Sequence, residues 1–197
     1  MRRDSVKTAV LASAAALLLG ACALGGDKAA PPAAFDLGPA LAAASVQPPG
    51  PLPELHLSEM SAPPWLATTG IAYRLAYLDE FRPQYYRDSR WLAPPATLLS
   101  ERLRQQLALR PRGASLKPMA LRLELVEFEQ RFSAPTQSEV RVSLRARLGE
   151  GSGVTQAFEI ARPTRSNDAA GAVQAFSEAS DAVLTQVLTW VALNAKP

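Results

Sequence analysis

The sequence predicts a single α/β domain, a sandwich of two main helices packed on a mixed or antiparallel sheet. Two patterns carry this prediction. Between Leu121 and Ile160, apolar residues alternate with polar ones in three runs separated by short polar turns, which is the mark of half-buried strands. Around Leu99, and again around Phe176, apolar residues recur every three or four positions, as on a helix with one buried stripe. Elements with one apolar face must stack in layers, and helices laid on a sheet satisfy this order of elements. The 197 residues, less an export segment, are enough for one domain with a real core.

The chain opens with Arg2, Arg3 and Lys7, followed by an apolar run over residues 9–19 that only Ser13 interrupts. A spanning helix needs roughly 20 apolar residues, so this run is the core of a signal peptide. It ends in Leu19-Gly20-Ala21-Cys22, which resembles the bacterial lipobox, the site at which a cysteine thiol is acylated and the leader is cut away. The competing explanation is an ordinary secreted protein with a chance cysteine near the cleavage point. Charge, spacing and small residues together favour acylation of Cys22, and each buried methylene of the acyl chains adds about 0.8 kcal/mol of membrane affinity. The organisation expected is therefore a signal peptide over 1–21, a lipidated cysteine and flexible tether over 22–34, and a periplasmic domain over 35–197. Ala23, where enterobacterial sorting would place Asp to retain a protein at the inner membrane, favours the outer membrane.

Within the domain, Phe35 and Leu37 flank Asp36 as in a short strand, and a Pro/Ala-rich stretch follows over residues 39–53. Leu55 and Leu57 alternate with Glu54, His56 and Ser58, and Ile71, Tyr73, Leu75 and Tyr77 repeat the pattern. Asp79-Glu80 beside Phe81-Arg82-Pro83 read as a turn, and Tyr85, Tyr86 and Trp91 surround a short extended stretch. Pro94-Pro95 open a helix, since proline's missing N–H costs nothing in the first turn. Its stripe is Leu99, Leu103 and Leu107, with Arg102, Arg104, Gln105 and Gln106 in the other positions, and Pro111 and Gly113 stop it.

Three strands then follow as an antiparallel meander, through Leu121, Leu123 and Leu125, then residues 140–148, then Val154, Phe158 and Ile160. The apolar phase slips between Leu125 and Val126, which calls for a bulge or a strand buried on both faces. Glu124, Glu127 and Glu129 are placed to pair with Arg141, Arg145 and Arg147 across a solvated sheet face. Ser166 or Asn167 caps a last helix whose stripe is Val173, Phe176, Val183, Val187, Trp190 and Val191, with Trp190 assigned to the core.

The composition excludes several functions. The formal charge of +3 falls to about +1 once the leader leaves, and no basic stripe of the kind that attracts a phosphate backbone is present, so nucleic acid is not a partner. One cysteine and one histidine build neither a disulfide nor a Cys/His zinc site. His56 has no Gly-x-Ser-x-Gly turn to serve and reads as a surface residue. Nothing in the spacing of the carboxylates selects a catalytic pair. Gly149-Glu150-Gly151-Ser152-Gly153 lacks the Lys-Ser/Thr of a phosphate loop and is a hairpin turn. The expectation is a non-catalytic protein without cofactor or metal.

What stands out is a stretch rich in aromatic residues and prolines: Pro63, Pro64, Trp65, Tyr73, Tyr77, Tyr85, Tyr86, Trp91, Pro94 and Pro95. Such side chains are enriched at protein interfaces, and they are equally good core residues, so the cluster divides between docking and packing. These residues also carry a family likeness. Ala62-Pro63-Pro64-Trp65-Leu66, Gly70-Ile71-Ala72-Tyr73-Arg74, Ser89-Arg90-Trp91 and Pro94-Pro95, with Phe35-Asp36-Leu37-Gly38 before them and Asp168-Ala169-Ala170 after, resemble the ABC-type transport auxiliary lipoprotein family of PqiC/YmbA-like proteins. The likeness spans about residues 35–193, and Phe35 stands where many members have tyrosine.

The resemblance implies a periplasm-facing accessory of a lipid-transport system in which an ABC ATPase, a permease and an MCE protein move lipid between membranes. It also implies a domain similar to the TolB N-terminal domain, and it allows a homo-oligomeric ring. The residues expected to meet the MCE partner are Trp65, Tyr73, Arg74, Tyr85, Arg90 and Trp91. The alternative expectation is a periplasmic lipid carrier with an acyl-chain cavity.

Overall fold

The computed structural model describes residues 30–39, 52–110, 117–151 and 153–195. The leader, Cys22, most of the tether, residues 40–51 and the helix stop at Pro111 and Gly113 lie outside the described residues.

The domain is a two-layer sandwich of a seven-stranded mixed sheet and two helices, as the alternation and the stripes predict. Its strands are β1 (Ala33–Phe35), β2 (Leu55–Leu57), β3 (Gly70–Leu75), β4 (Pro83–Trp91), β5 (Met119–Ala134), β6 (Gln137–Leu148) and β7 (Val154–Pro163), and its helices are α1 (Pro95–Ala108) and α2 (Ala169–Asn194). The sheet order is β1-β4-β3-β5-β6-β7, with β2 also paired to β5. Both β2 and β3 run parallel to β5, the first beside its beginning and the second beside its end. A 3-10 turn at Pro64–Leu66 lies between them.

The meander forms with the slip where it is expected. Leu125 lies opposite Leu144 and Glu127 opposite Ser143, so Val126 is the extra residue of a bulge. The bulge moves the apolar set of β5 from odd to even positions. Leu121, Leu123 and Leu125 before it, and Phe128 and Phe132 after it, therefore all face the helices. β6 needs no correction, because Val140, Val142, Leu144, Ala146 and Leu148 are all buried on one face.

α2 lays Phe176, Val183, Val187 and Val191 on that face with no exposure. Phe176 stacks on Phe128 with ring centroids 4.2 Å apart, and Trp91 meets both rings edge-on at 5.5 and 5.7 Å. Trp190 is half-buried and packs edge-on against Phe158. The cap of α2 is Asp168, not Ser166 or Asn167: its Oδ1 accepts from the Gly171 N–H at 2.7 Å, while the Ser166 hydroxyl donates to the same carboxylate. That carboxylate is held below its ordinary range by these bonds.

Two further readings need correction. The extended piece around Tyr85 is a nine-residue strand, β4, whose alternation is hidden by an irregularity in its pairing with β3 between Gly70 and Ala72. On α1, Arg102 and Gln106 are not on a polar face but buried against α2. The Arg102 Nη2 donates to the Leu37 carbonyl and to the Ser177 hydroxyl, its Nε lies 3.6 Å from Asp181, and the Gln106 amide donates to Asp181 at 3.1 Å. The Ser177 hydroxyl donates to the Leu37 carbonyl at 2.6 Å. This buried cluster ties the segment after β1 to both helices, with the Leu37 side chain in the core.

Candidate functional site

Alternation along β3 and β4 sends their side chains to two faces, and this sorts the six expected docking residues. Ile71, Tyr73 and Leu75 point toward the helix layer, whereas Gly70, Ala72 and Arg74 point to the opposite face, on which Ala72 is nonetheless buried. Tyr73 meets Tyr86 at 4.8 Å and Phe132 at 6.1 Å, and its hydroxyl donates to the Gln84 side chain at 3.0 Å. It is half-buried. Its neighbour Tyr86 donates to the Gln130 side chain at 2.7 Å, and burial pushes the Tyr86 phenol up to about 12.

Trp91 is 1% exposed and completes the Phe128–Phe176 cluster, so it is a core residue and presents nothing to a partner. The sequence could not separate it from Trp65, because the irregularity in β4 shifts which parity faces inward.

Arg74 lies on the opposite face but is turned inward. Its Nε and Nη2 donate to the two oxygens of Glu129 at 2.8 Å each, and its Nη1 donates to the Glu80 carbonyl at 2.8 Å. The pair is nearly dry, with side-chain exposures of 14% and 1%. The hydrogen bonds to Glu129 raise the Arg74 pKa. Glu129 is thus removed from the solvated ladder expected of it, and Arg131, whose Nη1 lies 3.6 Å from Glu129, also pairs with Glu80. Glu127, beside them, has its pKa raised, first by burial and then by the Glu129 charge.

Of the expected cross-strand ion pairs, Glu124 with Arg145 forms, at 2.7 Å. Arg141 turns instead to Glu139 at 2.9 Å and Glu159 at 3.7 Å. His56 is exposed, as expected.

Tyr85 and Arg90 remain on the face away from the helices, with Trp65 in the 3-10 turn beside them. The Tyr85 hydroxyl donates to the Trp65 carbonyl at 2.7 Å, linking the 3-10 turn to β4. Arg90 is exposed and lies opposite Gly70 in the sheet. Gly70 is a close approach: a Cβ there would sit 2.5 Å from Tyr85 Cδ1, so glycine lets the ring lie flat on the strand. Tyr85 remains 42% exposed, and Trp65 is half-buried. The result is a Tyr85 ring seated on Gly70 and tied to the turn that carries the half-buried Trp65, with the exposed Arg90 beside it. Among the described residues, no cluster of His, Cys, Asp or Glu is arranged to hold a metal ion, and no helix is long and apolar enough to cross a membrane.

Comparison with solved structures gives the same fold. A Xanthomonas campestris protein of the DUF330 family is 21% identical, with a TM-score of 0.65 over 75% of this chain and 90% of that one. A second crystal structure, of an uncharacterized protein, is 13% identical, with a TM-score of 0.58 over 82% of this chain and 99% of that one. No curated protein matches the chain. At the level of family the match is direct and covers residues 35–188, from the first strand to the last turns of α2. The chain belongs to the ABC-type transport auxiliary lipoprotein family.

Proposed function

We propose that this protein is a non-catalytic accessory of an ABC/MCE-type lipid transport system, held by acylated Cys22 at the outer membrane with its domain in the periplasm. The family supports an auxiliary role in ABC-type transport by a membrane-anchored lipoprotein. The finer reading rests on one observation, the patch of Trp65, Tyr85 and Arg90. Tyr85 is seated on Gly70 and bonded to the carbonyl of the half-buried Trp65, so its ring is displayed with little freedom left to lose on docking. The MCE protein is the proposed occupant, and Arg90 favours an acidic or carbonyl-rich contact on it.

The test is co-purification of an MCE protein from the same cells with Trp65→Ala and Arg90→Glu variants. Loss of capture with an unchanged unfolding transition supports the patch. A folded Trp65→Ala, Arg90→Glu double variant that still captures the partner at wild-type level removes it.

The alternative of a lipid carrier has less support. The space between the helices and the sheet is filled by Trp91, Phe128 and Phe176. A groove of about 510 Å³ between the segment after β1 and α2, lined in part by Phe35, Leu37, Leu92 and Val173, is open at the surface.

A further inference from the structure

The turn between β3 and β4 belongs neither to the core nor to the docking patch. It exposes Phe81 at 90%, Leu78 at 70% and Tyr77 at 39%, a cluster of large apolar side chains on one turn. Single exposed leucines are ordinary on a protein surface, whereas such a cluster marks a contact. The turn is also firmly built. The N–H groups of Leu78 and Asp79 donate to the Leu75 carbonyl at 2.9 Å, and the Phe81 N–H donates to Asp79 Oδ1 at 2.9 Å. Arg74 donates to the Glu80 carbonyl at 2.8 Å, and Arg131 pairs with the Glu80 carboxylate. Leu78 and Phe81 are therefore held out into water, and burying them orders little that is not already ordered.

The path of the chain indicates what covers them. β1 lies parallel to β4 with Ala33 beside Ser89, and β4 runs from Pro83, next to the turn, up to Trp91. The chain therefore passes through β1 heading away from the β3–β4 turn. The stretch of β4 from Ser89 back to Pro83 measures about 20 Å at strand spacing. The chain from Cys22 to Ala33 can span up to about 36 Å. A lipid on Cys22 is thus within reach of the level of the turn.

We infer that this end of the sheet faces the bilayer and that Phe81 and Leu78 insert into its interface, with Tyr77 and Arg82 at the level of the headgroups. The inference rests on acylation of Cys22, which keeps the turn at high local concentration beside lipid, so that an apolar contact too weak to recruit the free protein becomes populated. A ring and a leucine suit the acyl boundary, and a phenol and a guanidinium suit the polar zone above it. Asp79 offsets Arg82 and Glu80 is engaged by Arg131, so the turn is close to neutral. The attachment is therefore apolar and depends only weakly on salt.

The experiment uses the acylated full chain in phosphatidylethanolamine/phosphatidylglycerol vesicles. With Cys22 capped by lipid, a Phe81→Cys variant offers one free thiol for an environment-sensitive fluorophore, and Glu150→Cys on the β6–β7 turn, at the other end of the sheet, is the control. The expected result is quenching of the label at position 81 by nitroxide-bearing lipids, at low and high salt alike, with no quenching at position 150. A second substitution, Leu78→Glu, lowers the quenched fraction about tenfold, the change that loss of one buried apolar side chain gives. Equal exposure of both labels overturns the inference, as does protection of position 81 only when a partner protein is added. Mass spectrometry of the same sample reads the acylation separately. Should Cys22 prove bare, a Cys22→Ser chain held by an N-terminal histidine tag on nickel-chelating lipid, its labels again at 81 and 150, answers the question about the turn by itself.

Discussion

The two faces of the sheet carry similar residues to different ends. On the helix side, aromatic side chains are consumed by packing: Trp91, Phe128 and Phe176 form a closed cluster with almost no exposure. On the opposite side, the Tyr85 ring is held by its hydroxyl's bond to the Trp65 carbonyl yet stays 42% exposed, beside the exposed Arg90. Charges divide in the same way. Glu124 and Arg145 pair in solvent, whereas Glu129 and Arg74 pair with 1% and 14% exposure under the β3–β4 turn. In this domain the cover over a side chain, more than its type, decides whether it stabilises the fold or is available to a partner.

The contrast breaks most visibly in the core. Phe176→Ala removes the ring stacked on Phe128 and the edge contact of Trp91, and should cost about 3–5 kcal/mol, read by denaturant unfolding. Trp65→Ala on the other face should cost much less while reducing partner capture. If the two substitutions destabilise equally, the distinction between the faces fails. Next in size is Glu129→Gln, which leaves the Arg74 guanidinium short of its bidentate partner and should cost about 2–3 kcal/mol, less than a fully buried pair because Arg74 keeps some solvent. A double change to Arg74→Met and Glu129→Leu should recover most of that loss if the pair is as dry as it stands.

Asp168→Ala tests the cap of α2 and should cost about 1 kcal/mol. Its carboxylate pKa is depressed in the folded state, first by the Gly171 N–H and then by the Ser166 hydroxyl. The unfolded state therefore binds the proton more readily, and the cap's contribution is complete above the ordinary carboxylate pKa of about 3.9 and is lost as pH falls through the lower folded value. A stability profile below pH 5 should lose that slope in the Ala variant. Smallest is Glu124→Gln on the solvated face, worth about 0.5 kcal/mol or less and screened by salt.

Much of this was legible in the sequence because it depends on period alone. The alternation of β6 and the stripe of α2 required only that one face be buried, and the slip at Val126 called for a bulge or a strand buried on both faces, of which the chain takes the bulge. The proposed anchor at Cys22 rests on a linear motif alone, Leu19-Gly20-Ala21-Cys22, which needs no folded structure to be read. The family was also legible, since its motifs are short runs fixed in order.

Other features required the folded chain. Trp91 and Trp65 differ through the irregular pairing of β3 with β4, which sets the inward parity and leaves no trace in composition. Arg74 meets Glu129 across 55 positions of sequence, because a parallel pairing of β3 with β5 places them on one face, and many other acid–base pairs were equally open to the unfolded chain. Arg102 was read as a solvated helix position and is instead buried where α1, α2 and the segment after β1 converge. The sequence by itself determined the meander of β5, β6 and β7, the apolar stripes of α1 and α2 and the family, because each is set by neighbours along the chain. The tertiary structure alone decided which aromatic rings are covered and which charges are dry, because cover and desolvation are properties of what lies across space.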